Sequence, residues 1–141
     1  DSSNITCNGG LDGFIAITAT GVSLPLTYSW AGLPDTDSAL TNLSQGLYTV
    51  TITDALGCVA IRTITLTEPQ PFTINSVSPQ NNPPYNISCF GLADGELFLS
   101  VTGGTAPYNF VWSNGAITQN LQNLTADLYT VFITDDNNCG T

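Results

Sequence analysis

The sequence contains no histidine and no methionine, and Arg62 is its single basic residue against eleven Asp and Glu residues. Without histidine, the chain itself cannot supply a histidine base, a histidine metal ligand or a Ser-His-Asp triad. Without clustered Lys or Arg it has no phosphate-binding surface, so we expect neither nucleic acid nor an anionic membrane as a partner. Charged residues are only 9% of the chain, so its exterior must be mainly Thr, Ser, Asn and Gln. Such an exterior is commoner on secreted bacterial β-proteins than on cytosolic enzymes.

Long hydrophobic runs are also absent. No stretch approaches the roughly 20 apolar residues that a membrane-spanning helix needs, so we expect no membrane insertion. No positively charged, apolar leader opens the chain, so any export signal is expected to lie outside it. The hydrophobic content of 42% nevertheless predicts a folded chain.

A duplicated segment organises the sequence. Residues 47–54 (LYTVTITD) return as residues 128–135 (LYTVFITD). The offset between matching positions is 82 residues up to the pair Trp30 and Trp112, and 81 residues after it, which places one deletion in a loop. The duplication predicts two domains, residues 1–69 and residues 70–141.

Each copy has the pattern of a β-protein. Apolar residues alternate with Thr in residues 47–54, as in a strand with one buried face, and no window has a helical period. Short strands separated by Gly, Pro and Asn predict an all-β fold of two tandem immunoglobulin-like β-sandwiches. Between Trp30 and Gly46 the pattern allows one or two strands.

The two copies are predicted to be incomplete at opposite ends. Residues 72–88 provide a first strand and a turn that copy one lacks, and residues 59–67 provide a closing strand that copy two lacks. We therefore expect a window of a longer tandem array. The alternative is a filament in which a neighbouring chain supplies the missing strand.

Three motifs resemble a known family. They are residues 89–95 (CFGLADG), residues 103–115 (GGTAPYNFVWSNG) and residues 128–135, followed by Cys139. Together they are similar to the SprB-type repeat of giant surface adhesins in gliding bacteria with type IX secretion. Departures from the pattern are Gly21-Val22, Asp127 and Asn138, all in turns. The resemblance implies a secreted, filament-like adhesin without catalytic residues.

Four cysteines stand at repeat-related positions without CxxC spacing, so disulfides are expected rather than a zinc site: Cys7, Cys58, Cys89 and Cys139. A Cys7–Cys58 bond would stabilise copy one by about 4 kcal/mol through loop closure. The two cysteines reach the same end of a sandwich if one strand lies between Trp30 and Gly46. We therefore predict that pairing and one strand.

Five aspartates stand in Gly- and Asn-rich turns: Asp12, Asp54, Asp94, Asp135 and Asp136. Their carboxylates could hold calcium, but Asp also commonly begins turns and no DxDxDG loop occurs. We expect no cofactor and no other metal, with calcium at these turns as the alternative.

Three further patterns bear on binding or modification. The aromatic residues, including both Trp, occupy strand positions typical of a core, while Tyr85 and Tyr108 are the candidates for stacking on sugars. Residues 37–39 match an Asp-Ser-Ala acceptor pattern for O-glycans, with Ser38 as the modified residue. No carboxylate pair lies on an apolar strand face, so we expect no enzyme activity.

The sequence thus favours a non-catalytic structural repeat of an extracellular cell-surface adhesin or filament that mediates attachment or gliding. Its expected partners are neighbouring repeats or identical chains, with surface polysaccharide as a further candidate. The alternatives are a carbohydrate-binding module and a spacer domain of a secreted polysaccharide-degrading enzyme.

Overall fold

The computed structural model describes residues 1–78 and 86–141. These residues form eleven β-strands and no helix, so the predicted all-β class is confirmed. Accordingly, the described part of the chain has no helix that is long and apolar enough to cross a membrane. The chain divides into two compact units, Asp1–Pro69 and Gln70–Thr141.

Unit one is a sandwich of two antiparallel sheets. One sheet has the order β1-β2-β4 and the other has the order β3-β5-β6. The strands are β1 (Ser2–Ser3), β2 (Gly13–Ala16), β3 (Thr27–Trp30), β4 (Ala39–Leu43), β5 (Gly46–Thr53) and β6 (Val59–Leu66).

Alternating apolar residues of both sheets form the core of unit one. Ile15 of β2 and Leu40 of β4 pack with Trp30, Val50 and Leu66 of the opposite sheet, and all five are buried. Because strand side chains alternate between faces, one row of side chains on each of these strands faces the core and the other row faces away from it.

Unit two has the same arrangement of two sheets, with fewer strands. One sheet has the order β7-β8-β10, and the other contains only β9 and β11. The strands are β7 (Thr73–Val77), β8 (Gly95–Thr102), β9 (Asn109–Trp112), β10 (Leu121–Leu124) and β11 (Val131–Thr134). Its core again joins both sheets, through residues such as Leu99, Trp112 and Ile133.

The duplicated segment forms strands of different length in the two units. In unit one it belongs to β5, all eight residues of which pair with β6. In unit two only the four residues of β11 are in strand conformation, and residues 128–130 are not. The sequence predicts one strand over residues 128–135, whereas the strand in the structure contains only Val131–Thr134. The reason is that no strand among the described residues pairs with residues 128–130, and a strand is defined by its ladder as well as by its side-chain pattern.

A short ladder nevertheless begins on the outer side of β11. Ile133 and Thr141 exchange two backbone hydrogen bonds of 2.9 Å, and Thr134 bridges Gly140. The equivalent pairs in unit one are Ile52–Ala60 and Thr53–Val59, the first pairs of the β5–β6 ladder. Residues 140–141 therefore take the register of the start of β6.

One strand, β4, lies between Trp30 and Gly46 in unit one, as predicted. The single deletion between the copies falls in the loop before β4, which contains no strand. The indole N–H of Trp30 donates to the carbonyl of Asp37 at 2.9 Å, and that of Trp112 donates to the carbonyl of Thr118 at 2.7 Å. The two loops thus differ by one residue and are closed by the same hydrogen bond.

Candidate functional site

Two of the predicted acidic turns are held by carboxylates that accept backbone hydrogen bonds. The Asp54 carboxylate accepts the N–H groups of Leu56 at 2.9 Å and Cys58 at 2.8 Å. The hydrogen bond from the Cys58 N–H contributes most to holding the pKa of Asp54 below its usual value. Asp135 takes the equivalent position in unit two and accepts the N–H groups of Asn137 and Cys139, each at 2.9 Å.

Asp12 and Asp94 form a second equivalent pair. The Asp12 carboxylate accepts the hydroxyl and the backbone N–H of Thr6, and Asp94 accepts the same groups of Ser88. These hydroxyl donors are the main reason why the pKa values of both aspartates lie below the usual range. Both carboxylates therefore serve to close the turn before the second strand of their unit.

Asp136 lies in the turn after β11 and takes part in it through its backbone. Its N–H donates to the carbonyl of Thr105 at 2.9 Å. In the part of the chain that the structure describes, no three His, Cys, Asp or Glu residues are grouped so that they could hold a metal ion. Calcium binding at the turns stays an untested alternative.

The predicted disulfide pairing within copy one is wrong. Cys58 is a free, exposed thiol, and so is Cys89, whereas Cys7 and Cys139 are each disulfide-bonded. The prediction required Cys7 and Cys58 to lie at the same end of unit one.

Hydrogen bonds place Cys7 and Cys58 at opposite ends of β6. Near Cys7, the N–H of Ile5 donates to the carbonyl of Thr67 at 3.0 Å, beyond the last residue of β6. Cys58 directly precedes the first residue of that strand. Eight residues at about 3.3 Å each separate the two ends by about 26 Å, whereas a disulfide needs Cα atoms within about 7 Å.

The error arises in the loop of residues 31–38. Simple alternation of strand direction would reverse the chain between β3 and β4. Ala39, the first residue of β4, pairs with Ala16, and its last residue, Leu43, pairs with Gly13. Gly13 also lies close to Leu66, at the end of unit one where β5 starts. The loop therefore returns the chain across the sandwich without a strand, and β3 and β4 run in the same direction.

The tryptophans belong to the cores, as expected. Trp30 and Trp112 are 3% and 4% exposed, which leaves neither indole face open to a sugar. Tyr108, a candidate for sugar stacking, is half-buried: its ring lies 6.2 Å from that of Phe72, and its hydroxyl donates to the carbonyl of Gly103 at 2.7 Å. The other candidate, Tyr85, lies outside the described residues.

Ser38, the predicted O-glycan acceptor, is exposed at the end of the loop before β4. Its carbonyl accepts a hydrogen bond of 2.8 Å from the N–H of Ile17. Ser38 is thus on the surface of unit one, and its modification stays a prediction.

The most distinctive feature of the described surface is an apolar cleft in unit two, with a volume of about 980 Å³. Its apolar lining includes Ile87, Phe90, Leu97, Leu124 and Tyr129. Phe90 is fully exposed at its rim. Sequence reasoning did not find this cleft.

The outer edge of β11 is the second open feature of unit two. Because Ile133 directs its N–H and C=O toward Thr141, the alternate residues Val131 and Tyr129 direct theirs to the same edge. On the opposite edge, the carbonyl of Thr130 accepts from the N–H of Ser113 at 2.8 Å. Within the described residues no backbone group pairs with Val131 or Tyr129 at the outer edge. Tyr129 also lines the cleft, so the two open features are continuous.

The correspondence between the two sequence copies contains a signal for the cleft. Gly13, Leu43 and Tyr48 of unit one correspond to Gly95, Leu124 and Tyr129 of unit two, all cleft residues. In unit one the matching space is closed by the end of β6, so aligning the copies and asking what covers these positions would have located the cleft.

Comparison with known families gives one match. The family model of the SprB repeat matches residues 1–34 and 81–117, which together cover half of the chain. The two matched segments are equivalent parts of the two units, since they are related by the repeat offset. Comparison with curated proteins and with solved structures finds no match. The SprB repeat is a structural repeat that typically occurs in surface-exposed proteins. On the strength of this match and of the duplicated sandwich, the chain belongs to the SprB repeat family.

Proposed function

We propose that this chain is a non-catalytic structural segment of an extracellular adhesin or surface filament, in which β-sandwich units in series carry a contact surface away from the cell. The observation that carries the proposal is the occurrence of two SprB-type units in direct succession. Repetition of one unit extends a chain without adding a new activity.

The surface chemistry supports this role. A net charge of −10 with a single basic residue keeps such units apart and soluble. The outer face of the β5–β6 pair carries hydroxyls, such as the pair Thr49 and Thr63, whose oxygen atoms are 3.2 Å apart. Hydroxyl-rich faces remain hydrated without charged partners.

Cells that express the native protein provide the test. Antibodies raised against the 141-residue chain are expected to label intact cells, and a brief protease treatment of intact cells is expected to remove the label. Deletion of the gene is expected to reduce attachment to glass, with restoration by the reintroduced gene. Label that appears only after lysis, or attachment that is unchanged by deletion, would contradict the proposal.

A further inference from the structure

The outer edge of β6 is an open sheet edge of unit one. The sheet has the order β3-β5-β6, so β6 has a neighbouring strand on one side only. The strands at the start of the two units, β1 and β7, pair with β2 and β8 and thus lie in the other sheet of their unit. The outer edge of β6 is therefore left open by the arrangement of the sandwich itself.

Every second residue of β6 directs its backbone groups to this edge. The N–H of Asp54 donates to the carbonyl of Cys58 at 3.0 Å, at the start of the ladder between β5 and β6. In an antiparallel ladder, hydrogen-bonded pairs alternate with pairs that do not bond across the strands. The residues of β6 whose N–H and C=O groups point outward are therefore Val59, Ile61, Thr63 and Thr65. Within the described residues, no backbone group pairs with them at this edge.

The side chains of β6 favour pairing with another strand. Residues 59–66 (VAIRTITL) are β-branched or aliphatic, with the exception of Arg62. Val59 and Ile61 are 60% and 58% exposed. An exposed edge strand of high β-propensity and little charge is a template for association with a second molecule. Arg62, the single basic residue of the chain, is the one charge in this segment.

Arg62 lies in the middle of the edge. It pairs with Val50, which is fully buried, so its side chain leaves β6 on the core-facing side of the sheet. The residue is exposed there, and its Nη1 atom donates to the carbonyl of Ile61 at 3.0 Å. Because that carbonyl points to the outer edge, the guanidinium already occupies an acceptor that an added strand would use.

Pairing with a second copy of the chain would bring two arginines together. Two identical edges pair antiparallel about a two-fold axis. The register that pairs every outward residue joins Val59 to Thr65 and Ile61 to Thr63, in both directions. Arg62 then lies directly opposite Arg62 of the second molecule, in a pair without cross-strand hydrogen bonds, where Cα atoms are about 4.5 Å apart. Like charges in this position destabilise a strand pair.

We propose that Arg62 prevents two molecules of this chain from joining through the outer edge of β6. Its positive charge, which repels the same charge on the second molecule, is the main cause. Its hydrogen bond to Ile61 adds to the effect by withdrawing an acceptor from the edge. Without Arg62, the edge is a self-complementary surface, and the partner that it fits is a second copy of the chain.

This inference is independent of the adhesin role. The effect of Arg62 on association could fail while antibodies still label the cell surface, and the reverse result is equally distinguishable.

The test compares the full chain with the variant Arg62→Thr, which keeps a high β-propensity and removes the charge. The change makes the net charge one unit more negative than −10, so the overall repulsion between molecules increases. We nevertheless expect the variant to dimerise with a Kd at least about tenfold lower than that of the unaltered chain, measured by sedimentation velocity over a concentration series. Dimers linked through the free thiols of Cys58 or Cys89 are identified on a non-reducing gel and are not counted.

Matched variants separate the charge from other effects of the substitution. Arg62→Lys retains the positive charge and Arg62→Glu reverses it, so both place like charges opposite each other and should stay monomeric. Thr63→Pro removes an N–H group at the outer edge and leaves the ladder with β5 intact, because the N–H of Thr63 points away from β5. Combined with Arg62→Thr, it should abolish the dimer, and alone it should preserve the circular dichroism spectrum of the folded chain.

Amide exchange measured by NMR locates the contact. In the Arg62→Thr dimer, the amides of Ile61 and Thr63 should exchange more slowly than in the monomer, whereas those of Ala60 and Ile64, which already bond to β5, should change little. An Arg62→Thr chain that stays monomeric at millimolar concentration would overturn the proposal. So would a dimer that persists with Thr63→Pro, or an Arg62→Lys chain that dimerises as readily as Arg62→Thr, because either result would assign association to another surface or another cause.

Discussion

At the scale of single residues, the two units differ in how closely a neighbouring loop approaches the turn aspartate. In unit two, the N–H of Thr105 donates to Asp135 at 2.8 Å, and a Cβ on Gly104 would lie 2.9 Å from the same carboxylate. In unit one, Val22 replaces that glycine, and the corresponding hydrogen bond, from Ser23 to Asp54, lengthens to 3.4 Å. Glycine therefore permits the closer approach.

Asp135 is 1% exposed and accepts three backbone N–H groups, which makes it a strong test position. Asp135→Asn directs an amide N–H₂ group toward one of these donors and leaves it unpaired. We expect unit two to lose about 2 kcal/mol of unfolding free energy, measured by urea denaturation. The control is the exposed neighbour in Asp136→Asn, which should change stability little. Equal losses in both variants would show that the hydrogen bonds of Asp135 are not the cause.

At the scale of strands, β5 and β11 show that nearly the same sequence forms a long or a short strand according to its neighbour. Tyr48 and Val50 pair with Ile64 and Arg62 of β6, and Val50 also pairs with Trp30 of β3. In the described structure Val131 pairs only with Trp112 of β9, and Tyr129 belongs to no ladder. Pairing with β6 removes the amides of Tyr48 and Val50 from water and also orders the backbone.

Amide hydrogen exchange should report this difference directly. In the chain alone, we expect the amides of Tyr48 and Val50 to exchange at least about a hundredfold more slowly than those of Tyr129 and Val131. Site-resolved exchange by NMR measures all four in one sample. Similar protection at both pairs would mean that the outer edge of β11 is covered in solution.

Alternating patterns predicted the strands and the cores better than the connections between them. The alternating pattern of their strands predicts buried positions for Trp30, Val50 and Trp112, and all three are buried. The cysteine pairing failed because a loop without periodicity, residues 31–38, returns the chain across the sandwich and carries no signal of its direction. The cleft was missed since it is a space that the described residues of unit two leave open, and a single sequence describes residues rather than the space beside them.

At the scale of the whole molecule, acidity acts on stability in two opposing ways. Lowering the pH neutralises the charge of −10 and relieves repulsion between carboxylates. It also protonates Asp12, Asp54 and Asp94, whose carboxylates accept hydrogen bonds only in the folded chain. Short-range hydrogen bonds depend little on screening by salt, whereas the repulsion is reduced by it.

We expect the hydrogen-bond loss to dominate below about pH 5. The pKa values of Asp12, Asp54 and Asp94 are lowered in the folded state, so the folded chain binds protons less readily than the unfolded chain. Their stabilisation is present above the usual Asp pKa of about 3.9 and is lost as the pH falls through the folded values. Melting temperatures measured from about pH 7 to about pH 2 should therefore decline in acid.

The melting temperature of the Asp12→Asn variant should decline less in acid. This variant lacks one of the three carboxylates whose protonation is coupled to unfolding. Asp136→Asn serves as the comparison, since its carboxylate accepts no hydrogen bond from the described residues. A decline that is unchanged in Asp12→Asn would contradict this account.

The ladder that starts at Ile133 and stops at Thr141 has a thermodynamic consequence for unit two. A ligand that binds only the folded state raises its unfolding free energy by RT ln(1 + [L]/Kd), which is about 2.7 kcal/mol at a hundredfold excess over Kd. Unit one carries its closing strand covalently, so its stability is fixed by the sequence. In the 141-residue chain, a strand that pairs with the outer edge of β11 only in the folded state would raise the melting temperature of unit two in this way.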